Sequence, residues 1–545
     1  MVTVRSILVS ILSGLILSVS LPLAFATNSI YISSTGAGAQ SGADCADAKP
    51  YSYFNSSANW YSSPAGIQIG PGTTVHGCPE TYSDATAGDT ALKFQCGTAN
   101  GNSSSPITLT FDQGATNLYN TKYWSATSGA IGNSGKCSYI VVDGANNLTI
   151  ANQTSAGSPT NGTGLANQQT SFGISLANCT YCTVRNTTVK NIYANKGSSS
   201  NATDTSGDLT ACISFTATST GAVISGNTVS QCKTGIGVSP DGGSPADGSN
   251  VTISSNTISD MDWGIQVAGG DSTDTFTGVV IHDNNITNWT NWQFPSNLYH
   301  QDGVMLFNFG NPSAGLTATL YNNYIYGDLG VGSPTGFIYC ADFTTCTIYN
   351  NLLVNTGHVI YGIMWLGQSE NFGKNMNVYN NTVVGATAGD VCIMLNISGK
   401  AVIENNVCTG PAGIWAFSTY QTSLASFAAT ISTSNHNVWN IGTGPAWGSQ
   451  ASGNTATYAV WQASGFDAAS TTADPKLDST YHLGSGSPAT GFASNLTDLN
   501  VNPLDLDLAL NPRPPQNNVN WDAGAYNASS GSGPAPPTSL TATVQ

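Results

Sequence analysis

Val378-Tyr-Asn-Asn-Thr-Val383 is the stretch on which the fold turns: two apolar pairs with a polar corner between them. The same phrase recurs as Thr183-Val-Arg-Asn-Thr-Thr-Val189, Val223-Ile-Ser-Gly-Asn-Thr-Val229, Val251-Thr-Ile-Ser-Ser-Asn-Thr-Ile258 and Val279-Val-Ile-His-Asp-Asn-Asn-Ile286. It returns at Leu320-Tyr-Asn-Asn-Tyr-Ile325, Ile348-Tyr-Asn-Asn-Leu-Leu352 and Val402-Ile-Glu-Asn-Asn-Val407. The corner asparagines read as Asn186, Asn227, Asn256, Asn285, Asn323, Asn351, Asn381 and Asn406, spaced by 25 to 41 residues. Self-similarity at that period marks a solenoid.

Asn tolerates left-handed backbone angles and bonds its own backbone, so it suits a sharp bend between two short strands. Coils stacked one strand spacing apart, about 4.8 Å, bring these amides into register as a hydrogen-bonded ladder. A third run follows each corner: Gly173-Ile-Ser-Leu176, Gly235-Ile-Gly-Val238, Gly264-Ile-Gln-Val267, Gly303-Val-Met-Leu306, Gly362-Ile-Met-Trp365 and Gly413-Ile-Trp-Ala416. Its alternation of Ile or Val with a variable residue is that of a strand with one buried face. The expected fold is all-β: a parallel β-helix with three strands per coil. Leucine-rich repeats need helical segments, which the sequence lacks after residue 26, and a propeller needs antiparallel hairpins at even spacing.

On these phrases the chain resembles the secreted parallel β-helix repeat proteins of the pectate-lyase-like superfamily, over about residues 28–527. Tyr31-Ile-Ser-Ser-Thr-Gly-Ala-Gly and Ile69-Gly-Pro-Gly-Thr-Thr-Val75 look like the N-terminal cap of such proteins. Tyr481-His-Leu-Gly-Ser-Gly-Ser-Pro488, Asn511-Pro-Arg-Pro and Trp521-Asp-Ala-Gly-Ala-Tyr526 look like their C-terminal cap. The resemblance implies a right-handed coil. It leaves activity open, because that superfamily holds lyases, hydrolases, epimerases, adhesins and phage spikes.

Residues 1–26 combine Arg5, an apolar run and a closing Ala24-Phe-Ala26, the pattern of a signal peptide. The chain is thus expected to be secreted or to reach the cell surface. Its removal takes away Arg5 and no acid, moving the net charge from −16 to −17. The remaining segments read as an N-terminal cap with first coils (27–138), the regular helix (139–440), C-terminal coils with an irregular cap (441–527), and a Pro/Gly/Ser linker with an orphan strand (528–545). No later apolar run is long enough to span a bilayer. Few Lys or Arg are present to displace counterions, which argues against nucleic acid.

Twelve cysteines in an exported chain point to disulfides. The local candidates are Cys212 with Cys232, Cys340 with Cys346, and Cys392 with Cys408. The single Cys179-x-x-Cys182 lacks the second pair that a zinc site needs. No cofactor or metal is expected, except that a lyase would bring Ca²⁺.

Chemistry is expected on the long excursion that ends at His300-Gln-Asp-Gly303, since function concentrates in loops carried by a rigid scaffold. Aligning the Gly-Ile runs sets Asp302 level with Trp263 on one side and Thr335 on the other. Carboxylates and amides bind sugar hydroxyls while indole faces stack on sugar rings, so the expected partner is an extracellular polysaccharide. Asp302 with Glu370 or Asp262 forms the expected catalytic pair of a glycoside hydrolase, with His300 orienting the acid. Trp263, Gln266, Trp289, Trp292 and Trp365 are the expected substrate contacts. Two alternatives stand beside hydrolysis: a Ca²⁺-dependent polysaccharide lyase, disfavoured because no Lys falls in the aromatic cluster by this alignment, and a non-catalytic adhesin or carbohydrate-binding protein.

Overall fold

A computed structural model describes residues 28–152, 169–192, 210–239, 247–269, 274–289, 301–308, 315–330, 334–368, 373–515 and 519–528. The three runs of each repeat are three strands. In one coil they are Thr252–Ser254, Thr257–Ser259 and Trp263–Gly269. In the next they are Val279–His282, Asn285–Thr287 and Asp302–Asn308. Each strand pairs in parallel with its counterpart one coil on. The fold is a right-handed parallel β-helix with three strands per coil.

Register makes the core. Ile253, Ile281, Leu320, Ile348, Val378 and Ile403 follow one another across consecutive coils, all buried. On the second sheet Ile174, Ile213, Ile236, Ile265, Val304, Ile338, Met364, Ile393 and Phe417 do the same. Burying each such side chain is worth about 1.5–3 kcal/mol. Parallel pairing begins at the first described strand, Asn28–Ser33 against Thr73–Gly77. It closes with the antiparallel pair Trp447–Ser449 and Thr455–Ala456.

The corner has two positions, not one. The first carries the left-handed backbone: Gly226, Ser255, Asp283, Asn322, Asn350, Asn380, Asn405 and His436 all have φ between 49° and 67°. The second carries the ladder. In it the backbone N–H and Nδ2 of each Asn donate to Oδ1 of the next, through Asn227, Asn256, Asn284, Asn323, Asn351, Asn381, Asn406 and Asn437. Two expected members are corrected. Asn285 lies beyond the corner in its strand, and Asn284 holds the rung. Asn186 holds the left-handed position (φ 55°), so Thr187 meets Asn227 Oδ1 instead. Asn437 is an added rung, and Asp467 Oδ1 terminates the column 3.1 Å from Asn437 Nδ2.

The Asn-Asn dipeptides have a further cause. Residues 475–528 turn back along the flank and bury Leu483, Leu496, Leu504 and Trp521 against Tyr349, Tyr379, Val407 and Val438. The left-handed asparagines hold this strap. Asn350 Nδ2 donates to the Leu506 carbonyl, Asn380 Nδ2 to the Asp522 carbonyl, and Asn405 to Ser494. Arg513, fully buried, donates to Asn350 Oδ1, Asn527 Oδ1 and the carbonyls of Asp522 and Gly524, and lies 5.5 Å from the Trp521 ring. At Asn350-Asn351, Asn380-Asn381 and Asn405-Asn406 the first Asn grips the strap while the second builds the ladder.

All three expected disulfides are present, joined by Cys45–Cys78, Cys96–Cys137 and Cys179–Cys182. The Cys-x-x-Cys pair is therefore a local staple. No helix among the described residues is long and apolar enough to cross a membrane. The signal-peptide and orphan-strand segments lie outside the described residues.

Candidate functional site

The outer face of the second sheet carries the chemistry, and a glycine at the second position of its strands explains why its coils can approach. A Cβ on Gly264 would stand 2.5 Å from the Gly303 carbonyl oxygen, and one on Gly303 2.5 Å from that of Phe337. Only glycine leaves the backbone room there.

Asp302 pairs with Trp263, as the sequence alignment expects, but its other neighbour is Gly336 and not Thr335. The cause is local: Gly336-Phe-Ile puts Phe337 where earlier coils have their second residue glycine, shifting the Gly-Ile alignment by one. The shift persists, with Met364 and not Ile363 facing Ile338. It brings Gln266, Met305, Tyr339 and Trp365 into one outward row. Trp263, Met305, Phe307 and Tyr339 form an apolar cluster on this face, with Trp365 packed against it. Tyr339 and Trp365 meet edge to face at 5.5 Å, and Tyr420, 46% exposed, continues the line 6.3 Å from Trp365.

The charged groups sit at one end of this cluster. Lys233 lies beside Asp262 in the register, and its carbonyl accepts the N–H groups of Asp262 and Trp263. Its Nζ is 5.2 Å from the Trp263 ring centroid, and the residue is 1% exposed. Asp302, one coil on, donates its N–H to the Asp262 carbonyl at 3.1 Å. Lys233, Asp262, Trp263 and Asp302 are all buried. The sequence shows Lys233 just before the third strand of its coil, at Thr234-Gly-Ile, as Asp262 stands before Trp263-Gly-Ile, but the alignment leaves it outside the aromatic cluster.

Asp342 lies beyond the other end of the strands. Its Oδ2 accepts the Asn308 N–H at 3.2 Å. Burial pushes its carboxyl up to about 6, with the Asn308 bond opposing. Burial also holds the Tyr339 phenol far above its ordinary range, with Asp302, Asp342 and Tyr420 adding to it. The Tyr339 phenol thus lies within reach of the field of both carboxylates.

Several buried polar atoms of this face have no hydrogen-bond partner among the described residues: Ser214 Oγ, Thr234 Oγ1, both amide atoms of Gln266, and Asp342 Oδ1. Such groups normally find partners, and leaving one sealed from water costs about 1–3 kcal/mol.

Trp289 is corrected as a substrate contact. Its ring is buried in the main core, stacks on Phe337 at 5.7 Å, and donates Nε1–H to the Asp302 carbonyl, which leaves no face for a sugar. His300, Trp292 and Glu370 lie outside the described residues. Among the described residues no three His, Cys, Asp or Glu side chains converge to hold a metal ion.

No protein-family model and no curated protein matches the chain. Among solved structures it is similar to pectate lyase Pel9A, with a TM-score of 0.47, 13% identity, and coverage of 92% of this chain and 96% of that one. It is also similar to a GH136 lacto-N-biosidase from Eubacterium ramulus, with a TM-score of 0.45 and 14% identity, over 71% of this chain and 64% of that one. The class of the protein is set by its own strand register: a right-handed parallel β-helix with three strands per coil.

Proposed function

We propose that the protein is a carbohydrate-active enzyme that cleaves an extracellular polysaccharide on the outer face of its second sheet. The observation that supports this is the convergence of Lys233, Asp262 and Asp302 at one end of the cluster formed by Trp263, Tyr339 and Trp365. Aromatic faces stack on sugar rings and carboxylates bind hydroxyls.

Elimination is the first reading. The sequence argues against a lyase on two grounds, the want of a lysine among the aromatics and an acidic net charge that repels a polyuronate unless Ca²⁺ intervenes; Lys233 removes the first. Its amine form would take the proton beside a uronate carboxylate, the neighbouring carbon–oxygen bond would break, and the departing oxygen would gain a proton. Tyr339, held in its neutral phenol form, is a candidate donor for that oxygen. Hydrolysis is the second reading, favoured by Asp342. A carboxyl pushed up to about 6 serves as a general acid near neutral pH, and its partner must lie at its own end of the strands, because Asp262 and Asp302 stand about 20 Å of strand away.

A polysaccharide panel tests both, with reducing ends and ultraviolet absorbance of unsaturated products recorded separately. Elimination predicts both signals, and Lys233→Ala abolishes them while keeping binding. Hydrolysis predicts reducing ends alone, abolished by Asp342→Asn. Binding without either signal refutes an enzyme and leaves a carbohydrate-binding protein.

A further inference from the structure

The register sets Ser214, Gly237 and Gln266 side by side on three consecutive coils of the outer face. Gly237 brings no side chain, so a position one coil wide separates the Ser214 hydroxyl from the Gln266 amide. Thr234, three residues before Gly237, adds a hydroxyl on the side where Lys233 and Trp263 lie. All three side chains are fully buried. Among the described residues, Ser214 Oγ, Thr234 Oγ1, Gln266 Oε1 and Gln266 Nε2 have no hydrogen-bond partner. Buried polar atoms left unpaired in a fold this regular are a departure from the rule that such atoms are satisfied. The contrast with the opposite flank is direct: the amides of the ladder make every bond open to them, as Asn256 and Asn323 illustrate.

We propose that Ser214, Thr234 and Gln266 form a subsite for one neutral, hydroxyl-bearing sugar residue of the polymer, beside the cleavage centre at Lys233, Asp262 and Asp302. The chemistry selects the ligand. Two hydroxyls and one carboxamide provide donors and acceptors with no net charge, the complement of vicinal sugar hydroxyls. The subsite holds no cation of its own for a uronate carboxylate, and Lys233 at its edge belongs to the cleavage centre. The substrate is then a glycan in which a neutral sugar occupies the position next to the cleaved linkage. This inference rests on the reading of the face as a polysaccharide site.

The test is calorimetric binding of the full-length protein to hexasaccharides of β-1,4-glucan, β-1,4-galactan and β-1,4-mannan, and to hexagalacturonate, together with thermal denaturation without ligand. Gln266→Leu and Ser214→Ala are the variants. The subsite predicts that at least one neutral hexasaccharide binds and that each variant weakens it by about tenfold, the loss of one or two hydrogen bonds. It also predicts an unchanged or higher melting temperature for Gln266→Leu, because that change removes unpaired buried groups. A purely structural amide gives the reverse, a lower melting temperature with binding unaltered, and overturns the subsite. Hexagalacturonate binding alone, insensitive to both variants, overturns the subsite and leaves the polysaccharide face standing. Failure of every probe to bind overturns the reading of the face, and the subsite with it.

Discussion

Exchanging Asn284 for Ala should cost far more than exchanging its neighbour Asn285, although the two are adjacent and identical in type. Asn284 Nδ2 donates to the Ile253 carbonyl at 2.9 Å, the His282 carbonyl at 3.0 Å and Asn323 Oδ1 at 3.0 Å. Its Oδ1 accepts from the Asn256 N–H at 3.1 Å and from Asn256 Nδ2 at 2.9 Å. Nδ2 shares its two hydrogens among three acceptors, so alanine removes about four bonds and strands the Asn256 donors. At a net worth of about 1 kcal/mol per bond the loss is roughly 4 kcal/mol. Asn285 sits in its strand with Oδ1 unpartnered, so Asn285→Ala should cost less than about 1 kcal/mol. A rung is a local feature of a solenoid, so an assay that resolves individual coils reads it most directly. Amide hydrogen exchange across residues 252–259, 279–287 and 317–327 is that assay. Asn284→Ala should lower protection there by at least a hundredfold, and Asn285→Ala by less than about fivefold. Equal effects, or the larger effect at Asn285, would refute the two-position corner.

Asp342 gives a pH test. Its carboxyl titrates about 6 when folded against an ordinary 3.8, so the native state holds more protons than the unfolded chain between those values. Stability therefore falls as pH rises from about 4 to about 6, by roughly 3 kcal/mol. Asp342→Asn should lack that fall and exceed the wild type in denaturant midpoint at pH 8; a parallel fall in the variant would refute the assignment. Arg513→Met should free the strap, at roughly 3 kcal/mol, because its acceptors Asn350 Oδ1 and the Gly524 carbonyl stay buried. Limited proteolysis read by mass spectrometry should then cut residues 475–528 first, and unchanged cutting would count against the strap. Gly303→Ala should cost about 3 kcal/mol, since its Cβ meets the Phe337 carbonyl oxygen at 2.5 Å and Ile325 Cγ2 at 2.8 Å. A change in denaturant midpoint of under 1 kcal/mol equivalent would refute the close approach of those coils.

Much was legible in the chain because a β-helix writes its tertiary contacts into a local repeat. The apolar pairs at Val251–Ile258 and Val378–Val383 announce strands, the Asn corner announces a bend, and the period announces stacking. The local cysteine pairs could be read for the same reason, since neighbouring strands of one coil are close in sequence. Asp302 beside Trp263 followed from one correct coil alignment. The same alignment placed Thr335 wrongly because Phe337 stands where a glycine was expected, and period two turns one misplaced residue into a change of face. Tyr339 was hidden by that slip, and Lys233 by sitting before its strand and not within it.

The amino-acid sequence by itself determined the coil, its three strands and the existence of an amide column, because each depends on residues a few positions apart. The tertiary structure alone decided which Asn of each pair turns inward, that the tail returns to clasp the outward ones, and which acids meet Lys233. Those outcomes rest on contacts between residues some 30 to 160 positions apart, such as Asn350 with Arg513. No local pattern encodes them, because loop length costs little once the coils are stacked.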